Sequence, residues 1–112
     1  MAKIFSATDL KFDAAGALYI SDSGNNRIRV IRAGVVTTVV GSGRQGFGGD
    51  GGKALEAELN APQKVAVAKD GSLFIADRAN HRVRKIDARG FITTVAGEGK
   101  PTGMFLDPEV IR

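Results

Sequence analysis

Apolar positions in this chain come in short bursts separated by glycine, aspartate and asparagine, and the bursts fall into two sets of four. The first set is residues 10–12, 18–20, 27–31 and 35–40; the second is residues 65–67, 73–76, 82–86 and 91–95. Each has the length of a strand, is filled with β-branched and aromatic residues, and ends at turn-forming residues. The inner strands are mostly apolar at consecutive positions, which predicts cover on both of their faces. The third strand of the first set alternates, with Arg27 and Arg29 on one side and Ile28 and Val30 on the other. Between the sets, residues 53–59 (Lys-Ala-Leu-Glu-Ala-Glu-Leu) are good helix formers and predict a short helical turn. Leu55 and Leu59 are spaced to share a face of it and to pin the linker on a blade edge.

The two sets are copies. Gly16-Ala17-Leu18-Tyr19-Ile20-Ser21-Asp22 matches Gly71-Ser72-Leu73-Phe74-Ile75-Ala76-Asp77 at an offset of 71 − 16 = 55. Asn25-Asn26-Arg27-Ile28-Arg29 matches Asn80-His81-Arg82-Val83-Arg84 in the same register. After one inserted residue, Gly34-Val35-Val36-Thr37-Thr38-Val39-Val40-Gly41 matches Gly90-Phe91-Ile92-Thr93-Thr94-Val95-Ala96-Gly97. Long self-similarity of this kind marks a repeat architecture. A four-stranded antiparallel meander covered on both faces is the unit of a β-propeller, in which blade stacks on blade. The expected fold is therefore all-β, two four-stranded antiparallel meander blades in one module. Residues 5–43 form the first blade and 44–61 a glycine-rich linker with a short helix. Residues 62–97 form the second blade, and 98–112 a further linker and the start of a third copy, since Phe105-Leu106-Asp107-Pro108 echoes Leu59-Asn60-Ala61-Pro62.

The run from Leu73 through Asp77, Asn80 and His81 to Arg84, and its counterpart from Leu18 through Asp22, Asn25 and Asn26 to Arg29, resemble the recurrent motif of the NHL-repeat family. Thr37-Thr38-Val39-Val40-Gly41 followed by Gly46-Phe47-Gly48-Gly49-Asp50-Gly51-Gly52 is similar to a subgroup found in bacterial exported proteins and teneurin-like proteins. Lys64 and Ala68 depart from the Gly and Asp usual in that family, and Ala7-Thr8 from its Pro-x pair. The resemblance implies a propeller, usually of six blades. Two blades alone would expose two apolar faces, and stacked repeats generally need at least three copies. Self-association of three chains into a closed six-bladed ring is the expected remedy, with a tetramer of eight blades as the alternative. The chain is expected to be a natural fragment or a designed piece of such a ring.

Composition narrows the chemistry. Fifteen glycines against three prolines fit many tight turns, and the absence of cysteine excludes disulfides and thiolate metal sites. No apolar run is long enough to span a membrane, and the N-terminus lacks the stretch of a signal peptide, so a soluble chain is expected. The net charge of +4 permits weak attraction to anions without indicating specificity. Gly41-Ser42-Gly43-Arg44-Gln45-Gly46 fits G-x-G-x-x-G, yet no helix is predicted after it, so it reads as a flexible linker. Phe47 and Ala54 break the Walker pattern around Gly52-Lys53.

Asp22 and Asp77 close their second strands, and are expected to accept N–H groups of the following turns with help from Asn25 and Asn80. Arg27, Arg29, Arg82 and Arg84 form a basic stripe, with Arg44, Lys53 and Lys64 elsewhere. It reads as solvated or paired between blades with Asp22, Asp77 and Asp87; the alternative is phosphate contact, because the resemblance includes RNA-binding relatives. RNA readers interleave aromatic rings, and this chain has one tyrosine and no tryptophan. His81 is the single histidine and has Asn26 as its counterpart, which argues against the metal-dependent lyases of the resemblance. No catalytic residue, metal ligand or cofactor is expected, and the reading is non-enzymatic; the remnant of a propeller hydrolase or lyase is the other alternative. Strand polarity places Asp22, Asn25, Asn26, Asp77, Asn80, His81 and Asp50 on one loop-rich rim, the expected surface for a protein or peptide ligand. The chain itself is the expected partner; nucleic acid and membrane are not.

Overall fold

A computed structural model of the chain describes Ile4 and residues 6–97. It contains two four-stranded sheets, each an antiparallel meander in sequence order. The first blade is β1 (Ala7–Phe12), β2 (Leu18–Asp22), β3 (Arg27–Arg32) and β4 (Val35–Val40). The second is β5 (Pro62–Val67), β6 (Leu73–Asp77), β7 (Arg82–Ile86) and β8 (Ile92–Ala96). The copies share register as well as sequence. Ile20 lies opposite Arg29 as Ile75 lies opposite Arg84, and both third strands slip register at the same place, Ile28/Arg29 and Val83/Arg84. The expected third copy lies outside the described residues.

Strand parity divides each blade into two faces. Tyr19, Ile28 and Val30 share one face of the first blade. They belong to one buried cluster with Val65, Leu73, Ile75 and Ile86 of the second blade and with Ala54, Ala57 and Leu59 of the linker. The core of the molecule is therefore the junction between blades. Polar side chains of the first blade align the edge of the second across it. Thr8 Oγ1 donates to the Gln63 carbonyl at 2.9 Å, Ser21 Oγ to the Pro62 carbonyl at 2.7 Å, and Val65 N donates to Asp9 Oδ2 at 3.0 Å.

The opposite face of the first blade carries Leu10, Phe12, Leu18, Ile20 and Ile31. In repeat register these are Val65, Val67, Leu73, Ile75 and Ile86, the residues with which the second blade meets the first. Leu10 and Phe12 are 55% and 70% exposed, although Ile20 is buried. The outward face of the second blade differs from the expectation of a bare surface. Phe74 and Val83 are both buried there, and the Lys85 ammonium lies 5.8 Å from the Phe74 ring centre.

The linker holds the short helical turn expected of it, as a three-residue 3₁₀ turn at Ala54–Glu56, and corrects two other expectations. Ala54, Ala57 and Leu59 are buried while Leu55 is 55% exposed, so the pinning residues are the alanines and Leu59. Glu58 breaks the predicted pattern because its N–H donates to the Gly48 carbonyl. Nor does the stretch hang loosely. Gly41 N donates to the Ala54 carbonyl, Ser42 N to Ala57, Gly46 N to Leu59, Gly51 N to Ile92 and Ala54 N to Gly90. Those bonds sew it between β4 and the start of β8, filling the wedge where the blades diverge.

Candidate functional site

The rim forms as the strand order requires. After β2 and β6 the chain makes equivalent 3₁₀ turns, Ser23–Asn25 and Arg78–Asn80. Each closes on a residue in the left-handed region, Asn26 at φ 55° and His81 at φ 54°. Asparagine and histidine are enriched there among non-glycine residues, so His81 has a structural reason to stand where it does. Asn26 also bridges the blades, its Oδ1 accepting from Ala61 N at 2.9 Å.

Neither aspartate caps the turn that follows it. Asn25 Nδ2 donates to Asp22 Oδ2 at 2.9 Å and Asn80 Nδ2 to Asp77 Oδ2 at 2.7 Å, as expected of the asparagines. The backbone donor to Asp77 comes from elsewhere: Asn60 N, in the segment leading into β5, at 2.8 Å. Burial pushes the Asp77 carboxyl above the ordinary aspartate value, against the hydrogen bonds from Asn60, Asn80 and Arg84. The turn-capping role falls to aspartates at the other end of the blades. Asp87 accepts from Phe91 N and Arg89 N, bonds that hold its carboxyl below the usual value. Asp70 accepts from Ser72 N, with the same consequence. Asp13 accepts from Ala15 N and Ala17 N. Asp87 is thus a turn residue, not an inter-blade counter-ion.

The basic stripe meets Asp22 and Asp77 as expected, but inside each blade and buried, not solvated or between blades. Arg84 has no exposed side-chain surface and Arg29 is buried. Arg29 Nε pairs with Asp22 at 3.1 Å, inside the first blade. Arg84 pairs with Asp77 at 3.4 Å and with Asp50 at 3.0 Å, and donates to the Glu58 and Gly48 carbonyls at 2.6 and 3.1 Å. Asp50 also accepts from the Thr94 hydroxyl. The linker is wound around one buried guanidinium, and Asp50 is its counter-ion instead of a free ligand group. Burial wins because a fork of five donors meets three oxygens of the loop and one of Asp77. Arg27 and Arg82 remain half-buried. Arg27 Nη2 donates to the Ser42 carbonyl at 3.1 Å, and the Arg82 guanidinium lies 4.7 Å over Phe47, a ring 57% exposed.

The structure therefore gathers Asp77, Asn80, Asp50 and Arg84 into one network with the linker, and Asn80 Nδ2 also reaches the Gly46 carbonyl at 2.7 Å. Asp22, Asn25 and Arg29 form the corresponding cluster of the first blade. Sequence reasoning missed Asp9, Thr8, Ser21 and Glu58; the one visible signal is Ser21, a hydroxyl inside an apolar strand. Among the described residues no group of three histidine, cysteine, aspartate or glutamate side chains is placed to hold a metal, and no helix is long and apolar enough to cross a membrane.

Known proteins share this architecture. Human teneurin-4 is 34% identical over 114 residues, covering 89% of this chain and 4% of that protein. Chicken NHL repeat-containing protein 2 is 39% identical over 84 residues, covering 73% and 11%. The chain thus spans a small part of the relatives it matches. A Bacteroides thetaiotaomicron structural-genomics protein of unknown function superposes with a TM-score of 0.70 at 24% identity, over 80% of this chain and 23% of that one. Staphylococcus aureus virginiamycin B lyase superposes at 0.55 and 15% identity, over 78% and 25%. These two likenesses concern the fold. The family model of the teneurin NHL domain matches residues 42–105, more than half of the chain, and takes in the linker, the Asp50–Arg84 clasp and the whole second blade. With that match and two repeated blades, the chain belongs to the teneurin NHL domain family of β-propeller repeats.

Proposed function

We propose that the chain is a non-enzymatic propeller scaffold that recruits further blades through its outward faces. Three copies close a six-bladed ring, and the loop rim offers a surface to a protein or peptide ligand. The observation that carries this reading is the outward face of the first blade. Leu10, Phe12, Leu18, Ile20 and Ile31 repeat the set with which the second blade packs on the first, and Leu10 and Phe12 stand in water. Apolar side chains arranged as half of a known interface favour the other half. The half in the register of Tyr19, Ser21 and Ile28 is the Phe74, Ala76 and Val83 face of another copy, whose Phe74 and Val83 are buried in the single chain and must be laid open to receive it. Head-to-tail contacts of this kind make a ring when the rotation closes.

Burial of Arg29 and Arg84 removes half of the basic stripe from any phosphate-binding surface, so the RNA reading gains no support. Light scattering on the purified chain tests the proposal. The expected mass is that of three 11.7 kDa chains. A monomer at micromolar concentration, folded and with the same strand signal, overturns it.

A further inference from the structure

At the end of the blades opposite the rim, the two sheets part to leave a cleft of about 450 Å³. Buried Tyr19, Leu73 and Ile86 line it, with half-buried Phe91 and the exposed Leu55. Two cations also line it, Lys53 from the linker and Arg89 from the turn between β7 and β8. Both are exposed, and neither has an ion pair among the described residues. The Arg89 guanidinium lies 5.4 Å from the Phe91 ring centre, so the positive charge rests on the apolar wall. The one carboxylate in the lining, Asp87, is occupied by the N–H groups of Arg89 and Phe91. The lining is apolar at its base and carries one net positive charge.

We propose that this cleft is a docking groove for a short acidic peptide that inserts one apolar side chain between the blades. Its volume lies in the range of ligand sites that are apolar with a few placed polar groups. Charge complementarity selects the peptide: two unpaired cations flank an apolar slot, so an apolar residue flanked by Asp or Glu satisfies both at once. Leu55 supports the assignment, because it is a large apolar linker residue that lines the cleft and that the core does not use. The groove lies between blades that the chain already holds together. Its lining includes none of Leu10, Phe12, Phe74 and Val83 of the outward faces.

Fluorescence anisotropy with labelled, end-capped pentapeptides tests this. The probes are Glu-Glu-Leu-Glu-Glu, Glu-Glu-Gly-Glu-Glu and Lys-Lys-Leu-Lys-Lys. The first is expected to bind at least about tenfold more tightly than the other two, since both the charge and the apolar anchor contribute. Lys53→Glu with Arg89→Glu is expected to weaken it by about tenfold or more, while Arg44→Glu with Arg78→Glu, the same charge change on the rim, leaves it within about twofold. Among the described residues Arg44 alone of the four forms an ion pair, with Glu58, and melting curves check that each variant folds. Equal binding of the glycine peptide, equal loss in the rim variant, or no binding at millimolar peptide overturns the proposal.

Discussion

At the scale of single residues, two like side chains on one strand play different parts, and each part recurs at the matching position of the other blade. Arg82 and Arg84 are two apart on one strand, yet Arg84 is sealed among Asp77, Asp50 and two carbonyls while Arg82 lies half-buried against Phe47. Removing one partner of a buried ion pair leaves the other charge without compensation, which costs about 3–5 kcal/mol. Arg84→Ala is expected to lose that much in urea unfolding, because Asp77 has no solvent access and the Glu58 and Gly48 carbonyls each lose a donor. Arg82→Ala is expected to lose about 1 kcal/mol, the usual effect of an ordinary substitution. Equal losses would mean that the stripe is a surface feature after all. The aspartates of the turns act with the opposite sign to Asp77. The carboxyl of Asp87 is held below its unfolded value of 3.8 by the Phe91 and Arg89 N–H groups, so its stabilisation is present above that value and fades as pH falls through the folded one. Asp87→Ala is therefore expected to melt below the parent chain at neutral pH, with the gap closing in acid. Asp77, raised by burial, works against this trend, since its protonated form is favoured in the folded state. A gap that widens in acid would refute the assignment.

Among elements, the strands were legible and the connections only partly so. β4 and β7 have the limits that their β-branched runs predict. β1 begins three residues earlier than its apolar run, because Thr8 and Asp9 are held by cross-blade hydrogen bonds that leave no hydrophobic signature. The rim was legible as a place, because strand polarity alone brings the loops together. Its wiring was not: the Asp50–Arg84 pair spans 34 residues and depends on how the linker folds back. Glycine positions show the same division. Gly41 and Gly97 are repeat partners with positive φ, and each lies against the backbone of the turn before the third strand, at Asn26 and His81. A Cβ on Gly41 would stand 2.5 Å from the Asn26 carbonyl oxygen, whereas one on Gly34 meets nothing within 4 Å. Gly34→Ala is expected to cost only the strain of a left-handed residue, about 1–2 kcal/mol. Gly41→Ala is expected to cost roughly 1–3 kcal/mol more, for displacing packed backbone, which thermal melts of the two variants will separate.

For the molecule as a whole, the question is whether one junction or several hold it together. The junction inside the chain combines an apolar core with polar staples from Thr8, Asp9, Ser21 and Asn26. In the second blade the staple positions are Gln63, Lys64, Ala76 and His81. Lys64 offers no acceptor where Asp9 receives Val65 N, and Ala76 no hydroxyl where Ser21 binds Pro62. On the proposed reading, a junction between copies would depend more on its apolar contacts, and association would be weaker than folding and dependent on protein concentration. The parent chain is accordingly expected to melt at higher temperature as concentration rises. Leu10→Glu with Phe12→Glu places two carboxylates in that contact. Since both side chains are already exposed, the single chain should lose little stability, about 0.5 kcal/mol at each site. Light scattering should then report a single-chain mass and melts independent of concentration, with the strand signal of the blades retained. If the double variant keeps the mass of the parent, the exposed face of the first blade is not where the copies meet, and closure through that face fails.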